Sequence, residues 1–128
     1  MEDSLKDLYL LLGSEGALAD RALSKLIIEL REERAEINTL FASEISLGEI
    51  SDALSPSLFS ERRALIIRDL QDLAEENRIE VTRYLESESP DSTLTLVMLH
   101  KGGVKGKALV EQIKKSGAEV IACDPLKR

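Results

Sequence analysis

Reactive and stacking side chains are scarce in this 128-residue chain: one cysteine, one histidine, two methionines, no tryptophan, and 3% aromatic residues in all. A lone thiol, Cys123, cannot close an internal disulfide, which excludes a disulfide framework and agrees with a reducing compartment. So few soft ligands argue against a zinc or copper centre, and neither metal nor cofactor is expected. So few aromatics argue against recognition of nucleic acid by base stacking. No apolar run approaches the ~18 residues that read as a membrane span, and Met1-Glu2-Asp3-Ser4 is acidic where a secretory leader is basic. The expected setting is cytoplasmic, with no membrane partner.

Positive charge is also short. Seventeen basic residues face 24 acidic ones, a net of -7, which argues against a whole surface built to bind DNA. The shortage is uneven: residues 101–128 hold seven basic and three acidic side chains, residues 1–100 ten and 21. Such polarity can steer an oriented encounter. It also describes a soluble surface whose last helix happens to be basic.

What is plentiful is aliphatic residues, within a hydrophobic share of 43%, enough for the core of one domain of this size. Leu8–Leu12 is a short apolar run closed by Gly13-Ser14-Glu15-Gly16, a buried strand and a turn. From Ala17 to about Arg34 the period changes: Leu18, Ala22, Leu26 and Leu30 recur every four residues, widened by Leu23 and Ile27, and a helix follows. A strand is expected over 36–41 and a short helix through Leu54, capped by Ser46 and stopped at Ser55-Pro56-Ser57. Ala64–Arg68 reads as a third strand and Asp69–Asp72 as a connector. A poorly patterned helix carrying Ile79, Val81, Tyr84 and Leu85 ends near Glu86. Thr93–Leu99 is the clearest strand by composition. A glycine-lysine loop, a helix through Lys115 ended by Gly117, and a fifth strand over 118–123 complete the chain. Alternating strands and helices, with strands apolar on both faces, predict an α/β domain with a mostly parallel five-stranded sheet covered by helices.

Phosphate-binding motifs fail on spacing. The 13–16 loop is too short for a Walker A loop, has no lysine followed by a hydroxyl residue, and carries Glu15. In Gly102-Gly103-Val104-Lys105-Gly106-Lys107 the glycine required five positions before Gly106 is Lys101, and the metal-binding hydroxyl is replaced by Ala108. The loop still offers glycine backbone and Lys101, Lys105 and Lys107. It reads as a generic turn with solvated lysines, as a contact for an anionic partner or DNA backbone, or as the phosphate site of a small nucleotide-binding enzyme or regulatory domain. His100 and Cys123 both end strands and could approach at one sheet edge; a polar strand terminator and a packed thiol account for them better than a catalytic pair. Asp69 and Asp72 read as caps of backbone amides. No catalytic set assembles, so a binding module is favoured over an enzyme.

Leu58 and Phe59 are large, apolar and adjacent, inside a segment otherwise marked as a loop by Pro56 and by Ser57, Ser60, Arg62 and Arg63. Two such anchors with a polar surround suit a protein-binding hot spot. Folding back as a plug over the sheet edge suits them as well.

Three segments carry a family resemblance: Tyr9-Leu10-Leu11-Leu12-Gly13-Ser14-Glu15; Ser57-Leu58-Phe59-Ser60-Glu61-Arg62-Arg63 leading to Ile66-Ile67-Arg68-Asp69; and His100 to Leu109. Their order and spacing resemble the N-terminal domain of the delta subunit of the bacterial DNA polymerase III clamp loader, especially its actinobacterial form. The resemblance implies a three-layer AAA+-like module with a degenerate P-loop over residues 1–128, part of a longer subunit. It implies no intrinsic ATP hydrolysis and no cofactor. Its implied partners are the sliding clamp, the other loader subunits through regions absent here, and DNA indirectly. Leu58 and Phe59 fall on the hydrophobic pair that enters the clamp, with Ser57 and Ser60 as local support and Arg62 and Arg63 orienting the segment or meeting acidic groups.

Overall fold

The computed structural model describes residues 6–46, 48–55, 62–87 and 93–124. The expected alternation is present: β1 (Leu8–Leu12), α1 (Gly16–Glu32), β2 (Glu36–Phe41), α2 (Glu49–Leu54), β3 (Arg63–Arg68), α3 (Glu75–Leu85), β4 (Leu94–His100), α4 (Lys107–Lys115) and β5 (Glu119–Ala122). Single 3-10 turns over Ala42–Glu44 and Leu70–Asp72 extend the exits of β2 and β3. All four strand pairings are parallel, in the order β2-β3-β4-β1-β5.

Crossover handedness ties helix placement to that order. Right-handed connections put a helix on one face when the chain moves one way across the sheet and on the other face when it moves back. The β1-to-β2 connection runs one way and the remaining three run the other, so α1 covers one face alone. Its Leu23 and Leu26 pack with Tyr9, Leu11, Ile66, Val97 and Leu99. Ile50 of α2, Val81 of α3 and Leu109, Val110 and Ile113 of α4 pack on the opposite face with Leu10, Leu65, Ile67, Leu96 and Met98. Each fully buried aliphatic side chain contributes roughly 1.5–3 kcal/mol of transfer free energy. The three central strands, apolar on both sides, therefore dominate stability. Edge strands β2 and β5 are mostly exposed, with Phe41 at 45% and Val120 at 42%.

Two local expectations need correction. Ser46 does not cap α2 with its hydroxyl; Gly48, left-handed at φ 88, precedes the helix. The backbone N–H of Ser46 instead donates to Glu49 Oε1 at 2.9 Å, the reverse half of a capping box. Asp69 and Asp72 cap nothing with their side chains: Asp69 is left-handed at φ 57 with no cap bond, and Asp72 pairs with Lys105. The weak pattern of α3 has a simple cause, since only Asn77 and Val81 are buried and Ile79 is 49% exposed.

Candidate functional site

The helices of β1 and β4 depart in opposite directions, so the carboxyl edge between these neighbouring strands is the topological switch point, where open α/β sheets place ligands. A crevice of about 210 Å³ opens there, lined in part by Gly13, Ser14, Gly16, Asp20, Arg68 and His100. Two of its backbone donors are already engaged. The N–H of Gly13 donates to His100 O at 3.0 Å and that of Glu15 to Cys123 O at 2.8 Å. Arg68 Nη2 meets Asp20 Oδ1 at 3.1 Å. The turn after β1 thus bonds the ends of β4 and β5, and the Gly13 and Glu15 amides are not free to hold a phosphate.

The 101–107 loop shares this edge, and His100 organises it. The buried imidazole (2% exposed) accepts from the Gly102 N–H at Nδ1, 2.9 Å. That acceptance leaves the proton on Nε2, which donates to Lys105 O at 2.7 Å. The Lys101 N–H donates to Gln71 Oε1 at 3.1 Å. Left-handed backbone at Gly102, Gly103 and Gly106, with φ of 92, 90 and 73, lets the loop curl over the ring; a Cβ on Gly106 would sit 3.5 Å from His100 Nε2. The structure therefore brings Lys101, Lys105 and Lys107 onto one exposed loop, but Lys105 Nζ already pairs with Asp72 Oδ1 at 3.3 Å. Replacing His100 with leucine, similar in size, is expected to cost about 2–3 kcal/mol, read as a melting temperature lower by roughly 10 °C. Faster amide exchange at Gly102 should accompany it. An unchanged melting temperature would remove the histidine from this role.

Cys123 and His100 do not form a reactive pair. The imidazole nitrogens are both engaged by the loop, and Cys123 Sγ lies 3.5 Å from Ile121 O. Burial, and then the charge of Asp124, push the thiol above its ordinary range, which disfavours the nucleophilic thiolate. Among the described residues no group of three or more His, Cys, Asp or Glu is arranged to hold a metal ion, and no helix is long and apolar enough to cross a membrane.

The second region of interest lies at the opposite, amino edge, roughly 20 Å away along a six-residue strand at ~3.3 Å per residue. Leu58, Phe59, Ser57 and Ser60 lie outside the described residues. Arg62 and Arg63 are described, at the entry to β3, and both are half-buried. Arg62 Nη2 donates to Thr95 Oγ1 at 2.8 Å, and Arg63 Nη1 donates to Ala53 O at 3.2 Å. Local spacing identified these arginines but not their acceptors, which come from β4 and α2. The pairings of Gln71, Asp72, Asp20 and Arg68 were missed for the same reason: each partner lies at least 30 positions away.

No family model matches the chain, and no curated protein matches it by sequence. Solved structures do match. The Bacillus subtilis DNA clamp loader delta protein (YqeN) superposes with a TM-score of 0.72 over 96% of this chain and 40% of its own, at 21% identity. Two point variants of Thermotoga maritima RuvB follow, at TM-scores of 0.64 and 0.63, over 90% of this chain and 38% of theirs, at 15% and 16% identity. The chain thus spans about two fifths of the proteins whose fold it shares. The fold is the expected three-layer α/β one and is shared with these structures, with every sheet pairing parallel where a mostly parallel sheet was expected.

Proposed function

We propose that this chain is a noncatalytic, sliding-clamp-binding domain of a bacterial clamp loader within the DNA polymerase III machinery, and that Leu58 and Phe59 are its apolar anchors. The observation that carries the reading is a convergence. Three ordered sequence segments resemble the delta subunit, and the DNA clamp loader delta protein shares the fold over 96% of the chain at only 21% identity. Insertion of two such side chains into a pocket contributes roughly 1.5–3 kcal/mol each before association costs. The parallel sheet is the rigid platform for that insertion. It favours an opened clamp only to the extent that the domain contacts the open ring better than the closed one. The remaining loader subunits and DNA are partners of the larger assembly, in the cytoplasm, and the actinobacterial character of the segments belongs to the same reading.

Titrating the cognate sliding clamp into the folded chain is expected to give saturable binding in roughly the micromolar range. Absence of saturable binding would overturn the reading.

The rival, a nucleotide- or phosphate-binding domain using Lys101, Lys105 and Lys107, draws support from the left-handed glycines of that loop. Against it, the Lys101, Gly102 and Lys107 amides are engaged by Gln71, His100 and Val104, and Lys105 by Asp72. Nucleotide with magnesium is expected to give no saturable signal up to about 1 mM. Micromolar binding that disappears when Lys105 and Lys107 become glutamine would establish the rival instead.

A further inference from the structure

We infer that Arg62 and Arg63 are positioning residues: on opposite faces of the sheet they tie down the residues that flank 56–61, at the end of α2 and the start of β3, and they do not touch the partner. The inference rests on the clamp-binding reading only for what the stretch is positioned to do.

Adjacent residues on a strand project to opposite faces, and these two side chains do so. Arg62 shares parity with Ala64 and Ile66 and reaches Thr95, which alternates with Val97 on the face that α1 covers. Arg63 shares parity with Leu65 and Ile67 and reaches the last turn of α2 on the other face.

The two bonds hold the residues that flank 56–61. Ala53 stands one residue before the end of α2, where helix carbonyls lack intrahelical partners. The Arg63 guanidinium supplies a donor there and ties the departing chain to the returning strand. At the returning end, Arg62 O accepts from the Glu36 N–H at 2.9 Å and the Arg63 N–H donates to Thr93 O at 2.8 Å. The Arg62 side chain then adds β4 through Thr95 Oγ1, whose hydroxyl lies 3.4 Å from Lys6 O at the entry to β1. Stem residues on either side of 56–61 are thereby bonded to α2, β2, β4 and the approach to β1.

Fold stability does not explain every part of this arrangement. The Nε of Arg62 is sealed from solvent without a hydrogen-bond partner, and burying an incompletely bonded guanidinium is unfavourable compared with an apolar side chain. What the arginines supply is placement. Flanking residues held in place before association leave less freedom to forfeit on binding.

Thr95 is completely buried and cannot reach a partner, so it separates positioning from contact. Thr95→Val removes the acceptor at near-constant volume, Thr95→Ser keeps it, and Arg62→Gln and Arg63→Gln remove the donors. The expected result is that Thr95→Val and Arg62→Gln weaken affinity for the cognate sliding clamp by the same factor, about threefold to tenfold. Thr95→Ser should bind as the parent does, and Arg63→Gln should speed amide exchange at Ser55. Melting curves count the folded fraction in each variant, so affinity is compared per folded molecule. Weakening by Arg62→Gln with none from Thr95→Val would overturn the inference and make Arg62 a direct contact. Unchanged affinity and unchanged exchange in every variant would overturn it as well. Should the parent chain fail to bind the clamp, the functional reading falls, and exchange at Ser55 and Arg62 still decides the clasp.

Discussion

Changing Leu58 and Phe59 together to alanine is expected to weaken binding to the sliding clamp by at least about tenfold, equivalent to ~1.4 kcal/mol. The expectation is conservative. Two large apolar side chains bring roughly 3–6 kcal/mol of transfer free energy to a pocket that encloses them, and hot-spot truncations commonly exceed about 2 kcal/mol each. Part of the gain is offset by ordering and desolvation on association, which is why the full transfer value is not expected. Titration of clamp into parent and double variant, with a melting curve of each, separates the two readings of the segment. Loss of affinity with a melting temperature held within about 5 °C is the outcome of an exposed anchor. Equal affinities would remove the anchor. A collapse of cooperative melting would return both side chains to the role of a plug over the sheet edge.

The fold was legible because its signals are local. Leu10, Leu65, Ile66, Val97 and Met98 are buried in runs apolar on both faces, the mark of central parallel strands. The four-residue recurrence from Leu18 to Leu30 marks one helix face, and Gly13, Gly117 and the Ser55-Pro56 pair punctuate the elements. The site was less legible because its bonds are not local. Lys105 and Asp72 are 33 residues apart, as are Arg62 and Thr95, while Arg68 and Asp20 are 48 apart. A composition reading sees lysines free in solution and aspartates at turns. Only the assembled sheet edge turns them into pairs, and the cap expected of Asp72 failed on that account. His100 lies between the two cases. Its position at a strand end identified a polar terminator, whereas its grip on Gly102 and Lys105 depends on a loop that folds back over the ring. The arginines of the 57–63 segment were recognised by proximity to the apolar pair, and the inferred positioning role rests on their bonds to Thr95 and Ala53, which local spacing does not show.

Gly13→Ala should be the most destabilising single change in the described chain for its size. Gly13 has φ 151, and a Cβ built there would lie 2.2 Å from the Cys123 carbonyl carbon, 2.4 Å from its oxygen and 2.6 Å from the Asp124 nitrogen. All three are backbone atoms, so no side-chain rotation relieves the overlap. The only relief is to move β5 away from β1, and that strains the bonds from Glu15 N–H to Cys123 O at 2.8 Å and from Cys123 N–H to Leu12 O at 2.7 Å. Backbone strain and overpacking together are expected to cost about 3–5 kcal/mol, a large part of the ~5–15 kcal/mol that holds a domain folded. The melting temperature should fall by roughly 10–20 °C. Gly103→Ala is the control: its φ of 90 is as unfavourable for a side chain, but no atom lies within 4 Å of the added carbon, so a cost of only about 1–2 kcal/mol is expected. The difference between the two variants isolates the close approach of Cys123 from the dihedral. That approach is also what keeps the turn after β1 bonded to the neighbouring strands at the edge where a nucleotide would sit. If both alanine variants melted together, the crossing of Cys123 over Gly13 would carry no weight in stability.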